Sequence, residues 1–345
     1  MRMRQLFLVL FLVFAVGCGW KSRPPSRQVN FLVWSAYVPG SIMIEFEKTT
    51  GIHVNYDFFD TNEAVLEKLQ SGVSNYDVIV ASDYMIRILN QQKLLHAMDL
   101  KQIPNVKNID PKFLHLPYDR QNEYSVPFLW STSGIGYNKT KVTDTVDSWA
   151  ILWNPKYKEK ICMLDDERET FGAALKLRGH SINSSSSADW DDAKDLLTMQ
   201  KPLLKAYNST NFDELLLSGD VWLAHAWSGN MVIAMNQNPQ LGYVVPKEGS
   251  VMSIDNFAIP ANSSHLQEAA AFINFCLDAK IGAEITNFNS YPNTNAAAKA
   301  FIKPEILDNK ISYPDPATMA RCELMQSLGD LNQKIDRYWT EIKSR

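Results

Sequence analysis

The succession VNFLVWS (29–35), SIMIEFEKTTG (41–51), HVNYDFF (53–59) and DVIVAS (77–82) decides the fold class. The first and last are nearly continuous apolar runs of strand length, and HVNYDFF alternates as a half-buried strand does. Between them, Ile42, Met43 and Phe46 fall on one helical face that Gly51 stops. Asp60-x-x-Glu63 has capping-box spacing ahead of a helix carrying Val65, Leu66 and Leu69. A further helix runs through Ile86 to Leu95. The unit reads β-α-β-α-β, the pattern of an α/β protein with mostly parallel sheets. Further on, KICML (160–164) leads into a helix from Phe171 to Leu177, and DVWLAHAW (220–227) into one from Val232 to Met235. No sequence repeat links the halves. Leu324, Leu328, Leu331, Ile335, Tyr338 and Ile342 recur at spacings of four and three, which predicts a long apolar helix face despite Gly329.

The chain has 345 residues, 46% hydrophobic and 21% charged, with a formal charge of −4. That length suits about two domains. The mild acidity argues against a nucleic-acid partner, which calls for a basic face, and nine Trp, thirteen Tyr and sixteen Phe exclude a disordered chain. At the start, Arg2 and Arg4 precede an apolar run from Leu6 to Val16 that ends at Gly17-Cys18. The run is short of the ~20 residues a spanning helix needs, so residues 1–17 read as an export signal. A small residue before Cys, here with Ala15 where Leu or Val is usual, resembles the lipobox of bacterial lipoproteins and makes Cys18 the lipidation candidate. Residues 18–27 read as a tether. Cys162, Cys276 and Cys322 then remain, too few and too scattered for a disulfide framework, although one Cys162–Cys322 bridge stays open.

Open parallel sheets bind ligands beyond the carboxyl ends of their strands. There the sequence offers Trp34, Ser35 and Tyr37, then Ser82, Asp83 and Tyr84, then Asp166 and Glu169, then Trp227, Ser228 and Asn230, and finally Asp255. Rings attract cations through their quadrupole, and carboxylates fix ammonium groups by charge-assisted hydrogen bonds. Rings beside carboxylates, without Lys, Arg or a phosphate loop, point to an organic cation whose methylene chain lies between aromatics with amines at its ends. Each residue has a plainer reading. Asp166-x-x-Glu169 serves equally as a helix cap, Trp34 and Trp227 as core aromatics, and Asp83 and Asp255 as turn residues. His53, Asp57 and Asp60 sit on an alternating strand, which favours an exposed face over a metal site. His225 reads as a satisfied core histidine. Ser228 lacks the leading Gly of a nucleophile elbow, so no enzyme, cofactor or metal is expected.

WSAYVPG (34–40), FEKTTGIHV (46–54), YDVIVASDY (76–84), YSVPFLWSTSGIGYN (124–138), LDDERETF (164–171), AWSGN (226–230), VPKEG (245–249), DNFAIPAN (255–262) and YPNTN (291–295) carry a resemblance to the spermidine/putrescine-binding periplasmic proteins of polyamine ABC transporters, from about Val29 to the C-terminus. The resemblance implies a two-lobed periplasmic-binding-protein-like II fold with a hinge, lobe 1 being 28–134 plus 254–302 and lobe 2 being 135–253 plus 303–345. Its implied ring-stacking residues are Trp34, Tyr37, Tyr84, Trp227 and Tyr291, its amine-binding carboxylates Asp166, Glu169 and Asp255, with Ser35 and Ser82 beside them. It further implies a monomer, lipid-anchored in the periplasm, that hands polyamine to ABC permease subunits. A changed ligand (another organic cation, thiamine or a metal) or a sensory role on the same fold are the alternatives. The departures bear on specificity. Ala36 and Ser253 stand where members carry an acidic residue and a large aromatic, Asn230 where putrescine-preferring members carry a carboxylate, and Met325 where a Gln is usual. Asp83 is acidic where a neutral residue is common, which suggests that it partly restores the charge missing at Ala36.

Overall fold

The computed structural model describes residues 27–72 and 75–344, so the export signal and Cys18 lie outside the described residues. Strand β1 (Gln28–Trp34) is followed by α1 (Gly40–Thr50), β2 (His53–Phe59), α2 (Asn62–Gln70), β3 (Val78–Ser82) and α3 (Asp83–Gln91). Helix α1 buries Ile42, Met43 and Phe46 and ends at Gly51 with φ +71°. Helix α2 is capped by Thr61, whose hydroxyl accepts from the Ala64 N–H at 3.1 Å. The box expected at Asp60 is therefore shifted by one residue, because the cap must sit in extended backbone directly before the first helical turn.

The long β4 (Val126–Asn138) begins the second half, followed by β5 (Ile161–Met163), α4 (Glu167–Leu177), α5 (Ser187–Gln200), β6 (Leu204–Tyr207), α6 (Phe212–Ser218), β7 (Leu223–Trp227), α7 (Ser228–Gln237) and β8 (Leu241–Val244). The chain returns through β9 (Val251–Ala258), α8 (Leu266–Cys276) and α9 (Ala279–Asn289). Two short helices, α10 (Pro304–Leu307) and α11 (Pro316–Met319), then β10 (Glu323–Leu324) and α12 (Leu331–Lys343), complete it.

The sheet order is β2-β1-β3-β9-β4-β7-β5-β6. Its outer thirds are parallel, as the sequence pattern predicts, and its centre is antiparallel. There β9 pairs with β3 and with the first part of β4, and the last part of β4 pairs with β7 and β8. No periodicity announces this, since β4 is buried along its length and shows no alternation. One core gathers Phe31, Phe46, Phe128, Phe257 and Phe272 between β1, β4 and β9 and helices α1 and α8, while separate clusters around Trp149 and Ile161, and around Phe171, Trp190 and Ile335, fill the other half.

The long C-terminal stripe is overturned in part. Leu324 belongs to β10, Gly329 takes φ +59°, and the helix begins only at Leu331, with Ile335 and Ile342 buried. A left-handed glycine and a strand pairing with β9 outweigh a continuous apolar spacing. Cys162, Cys276 and Cys322 are free thiols, so the bridge left open between Cys162 and Cys322 is absent.

Candidate functional site

A cavity of about 120 Å³ opens where β1, β3 and β9 from one half meet α4, β7 and α7 from the other. Eleven of the expected residues line it, namely Trp34, Ser35, Tyr37, Ser82, Tyr84, Asp166, Glu169, Trp227, Asn230, Asp255 and Tyr291, whereas Ser228 does not. Among its described lining residues there is no Lys, Arg or His.

Asp255 is held by two hydroxyls. Tyr37 donates to Oδ2 at 2.5 Å and Ser82 to Oδ1 at 2.8 Å, and Ser82 also accepts from the Asn62 amide at 3.1 Å. The register explains the meeting, since Ser82 and Asp255 are partners across the antiparallel β3–β9 pair. Burial pushes the Asp255 carboxyl above its ordinary range, against the hydrogen bonds from Tyr37 and Ser82.

Asp166 and Glu169 face it from the other half. Asp166 caps α4 by accepting from the Glu169 N–H at 3.0 Å and also lines the cavity, so the capping and binding readings are compatible. Burial raises its carboxyl to about 8, with the Glu63 and Glu169 carboxylates adding to the effect. Glu169 accepts from Ser133 at 2.6 Å and from the Trp227 indole at 3.1 Å. Behind it lies His225, fully buried, with Nε2 3.6 Å from the carboxylate and both ring nitrogens lacking hydrogen-bond partners. The expectation of a satisfied histidine therefore fails, because its strand position aims it at the back of Glu169 and at the edge of Trp149 instead of at a backbone group.

The rings form two walls. Trp34 and Trp227 approach across the cleft with centroids 6.4 Å apart, and Tyr37 meets Tyr291 edge-on at 5.3 Å. The Tyr291 hydroxyl donates to Asn230 Oδ1 at 2.6 Å, and the Asn230 amide donates in turn to Asp213 at 3.3 Å. Tyr84 donates to Glu63 at 3.0 Å.

Asp83 is not brought to the cavity. It opens α3 fully buried, with Oδ1 accepting from the Tyr84 N–H at 2.7 Å, and burial pushes its carboxyl well up. The alternation at the strand end that turns Ser82 inward turns Asp83 away, so its carboxyl does not line the cavity that Ala36 lines. Sequence reasoning passed over Asn62, Ser131, Ser209 and Thr210 as lining residues, while Asp60, discounted as a metal ligand, sits at the cavity's edge. Phe59, also lining the cavity, ends β2 and Asp60 follows it, both within reach of the strand-end rule. Ser209 and Thr210 lie in a loop that no pattern marks. His53 is exposed and paired with Glu47, and no group of side chains able to hold a metal occurs among the described residues.

The family model for bacterial extracellular solute-binding proteins matches residues 41–313. The spermidine/putrescine-binding periplasmic protein of Salmonella typhimurium is 33% identical over 96% of this chain and 95% of its own length. The putrescine-binding periplasmic protein of Escherichia coli is 32% identical over 98% and 96%. Among solved structures, a spermidine/putrescine ABC transporter protein from Listeria monocytogenes superposes with a TM-score of 0.89 at 33% identity, covering 92% of this chain and 99% of that one.

Proposed function

The chain belongs to the bacterial extracellular solute-binding proteins, within the spermidine/putrescine-binding periplasmic family and with its two-lobed fold, and from that membership we propose that it captures polyamines outside the cytoplasm and delivers them to an ABC importer. The observation that carries the reading is the cavity itself, in which Asp166, Glu169 and Asp255 stand among Trp34, Tyr37, Tyr84, Trp227 and Tyr291 without any cationic side chain. Ammonium groups satisfy such carboxylates, and the rings take the methylene chain. The protein does no chemistry on its cargo.

We take the two lobes as 28–134 with 254–302 and 135–253 with 303–345; the separate cores around Phe31 and around Trp149 support two bodies, while Ile306, Tyr313 and Met325 pack on the first lobe's side. Ligand touching Asp255 and Tyr37 on one lobe and Asp166, Glu169 and Trp227 on the other binds the closed state best and shifts the population toward it for docking on the permease. No helix among the described residues is long and apolar enough to cross a membrane. Attachment is assigned to lipid on Cys18, the carrier working as a monomer in the periplasm.

Calorimetric titration of protein refolded to strip carried-over ligand, against putrescine, spermidine, cadaverine and agmatine with an amino acid and a sugar as controls, tests the reading. Saturable one-to-one binding of at least one amine is expected. Silence toward all four from folded protein would overturn it.

A further inference from the structure

A second cavity, of about 330 Å³, lies behind the first, and Tyr84 and Met325 are the two residues that line both. Met325 is buried, and the backbone on each side of it is clamped. The Leu324 carbonyl accepts from the Asn183 amide at 2.8 Å, the Gln326 N–H donates to Asn183 Oδ1 at 2.8 Å, and the Gln326 carbonyl accepts from Arg168 Nη1 at 3.0 Å. The partition is therefore an apolar plug carried on a fixed backbone. The chamber beyond it carries a cationic side chain that the first cavity lacks. Arg87 lines it half-buried and makes no ion pair among the described residues, and the Glu323 carboxylate there is taken up by Lys176 and Ser181.

We propose that Met325 and Arg87 together set an upper limit on the length of the amine this protein accepts, Met325 closing the path and Arg87 opposing a cationic end beyond it. The inference rests on the polyamine reading and goes further, because it assigns a length rule to two residues of which Arg87 lies outside the ligand cavity. An ammonium group passing Tyr84 would lose the carboxylates of the first cavity and meet, on the half-open second chamber, a guanidinium that makes no ion pair among the described residues and repels it.

The test uses α,ω-diamines from four to twelve carbons, which vary length at constant charge. The wild-type chain should bind 1,4-diaminobutane and lose affinity sharply at a defined length. In the Met325→Ala/Arg87→Glu double variant the affinity for 1,12-diaminododecane relative to 1,4-diaminobutane should rise at least about tenfold, whereas Arg87→Glu alone, behind the plug, should move it less than about threefold. Cys322, a half-buried free thiol lining the second chamber, gives a readout independent of affinity and available without any variant. Its alkylation by N-ethylmaleimide, located by peptide mapping, should be unaffected by saturating diamine in the wild type and slowed by the long diamine in the double variant. An unchanged length profile in a folded double variant, an effect of Arg87→Glu alone as large as the double, or protection of Cys322 in the wild type would each overturn the proposal. Failure of the wild type to bind any diamine would instead remove the polyamine reading, and the length rule with it.

Discussion

Tyr291 packs against Gly229 across the cleft, so close that a Cβ on Gly229 would stand 2.3 Å from Cδ2 of the ring. The ring has no easy retreat, since its hydroxyl is bonded to Asn230 and its edge is walled by Tyr37.

Gly229→Ala should therefore displace Tyr291, weaken ligand binding by about tenfold or more and lower the melting temperature, because overpacking costs about 1–3 kcal/mol against the roughly 1 kcal/mol that Ala gains over Gly in a helix. Calorimetric titration beside a thermal melt checks the pair. Unchanged affinity in a folded variant would mean that the position of Tyr291 does not matter to the ligand.

Truncating a ligand carboxylate should cost more than truncating a ring. Asp255→Ala or Glu169→Ala leaves an ammonium unpaired in a buried site, a loss of about 2–5 kcal/mol, whereas Trp34→Ala removes a cation–π contact of about 0.5–2 kcal/mol. Equal and small losses for all three, measured by titration with the preferred amine, would argue that the ligand lies elsewhere.

Binding should expel protons. Burial raises Asp166 to about 8, so at neutral pH the ligand-free protein holds a proton there that an unfolded chain would have released, and Asp255 is moved in the same direction. A carboxyl raised in this way gives stability that is fully present below its unfolded value and lost as pH rises through its folded value, so the ligand-free protein should weaken between about pH 4 and 8. Ammonium groups favour the ionised carboxylates, and amine affinity should climb over the same range. Titrations at pH 7 in phosphate and in Tris should differ in heat by a net proton release, and identical heats would exclude the linkage.

Ala36 lines the cavity in left-handed backbone at φ +54°, a conformation that Asp tolerates better than most residues. Ala36→Asp should add an ammonium partner and tighten triamine binding by about tenfold, equivalent to about 1.4 kcal/mol. Asp83→Asn should leave affinity within about twofold, since its carboxyl does not line the cavity, and a large loss would place it in the site after all.

Much of this was legible because strand periodicity and ligand position are linked. Once VNFLVWS and DVIVAS are strands, Trp34, Ser35 and Ser82 must lie at their carboxyl ends, and those ends form the cavity. What local pattern could not supply was long-range pairing. The meeting of Ser82 with Asp255 depends on the antiparallel register of β3 with β9, which are 173 residues apart at that point. Tyr291 follows α9 without any strand before it and was reached through family resemblance. Asp83 and Ser82 are adjacent and chemically alike as hydrogen-bonding partners, and only the backbone decides which of them faces inward. The C-terminal stripe misled because apolar residues at helical spacing also suit a turn and a short strand when each segment packs on a different neighbour.

Strand β4 is hydrogen-bonded at its start to β9 and at its end to β7 and β8. Neither core can melt without fraying a ladder that the other depends on, so the energetic boundary between them is softer than the geometric one. Heating should give one cooperative transition with calorimetric and van't Hoff enthalpies in agreement, where two independently folding bodies on a flexible linker would give two.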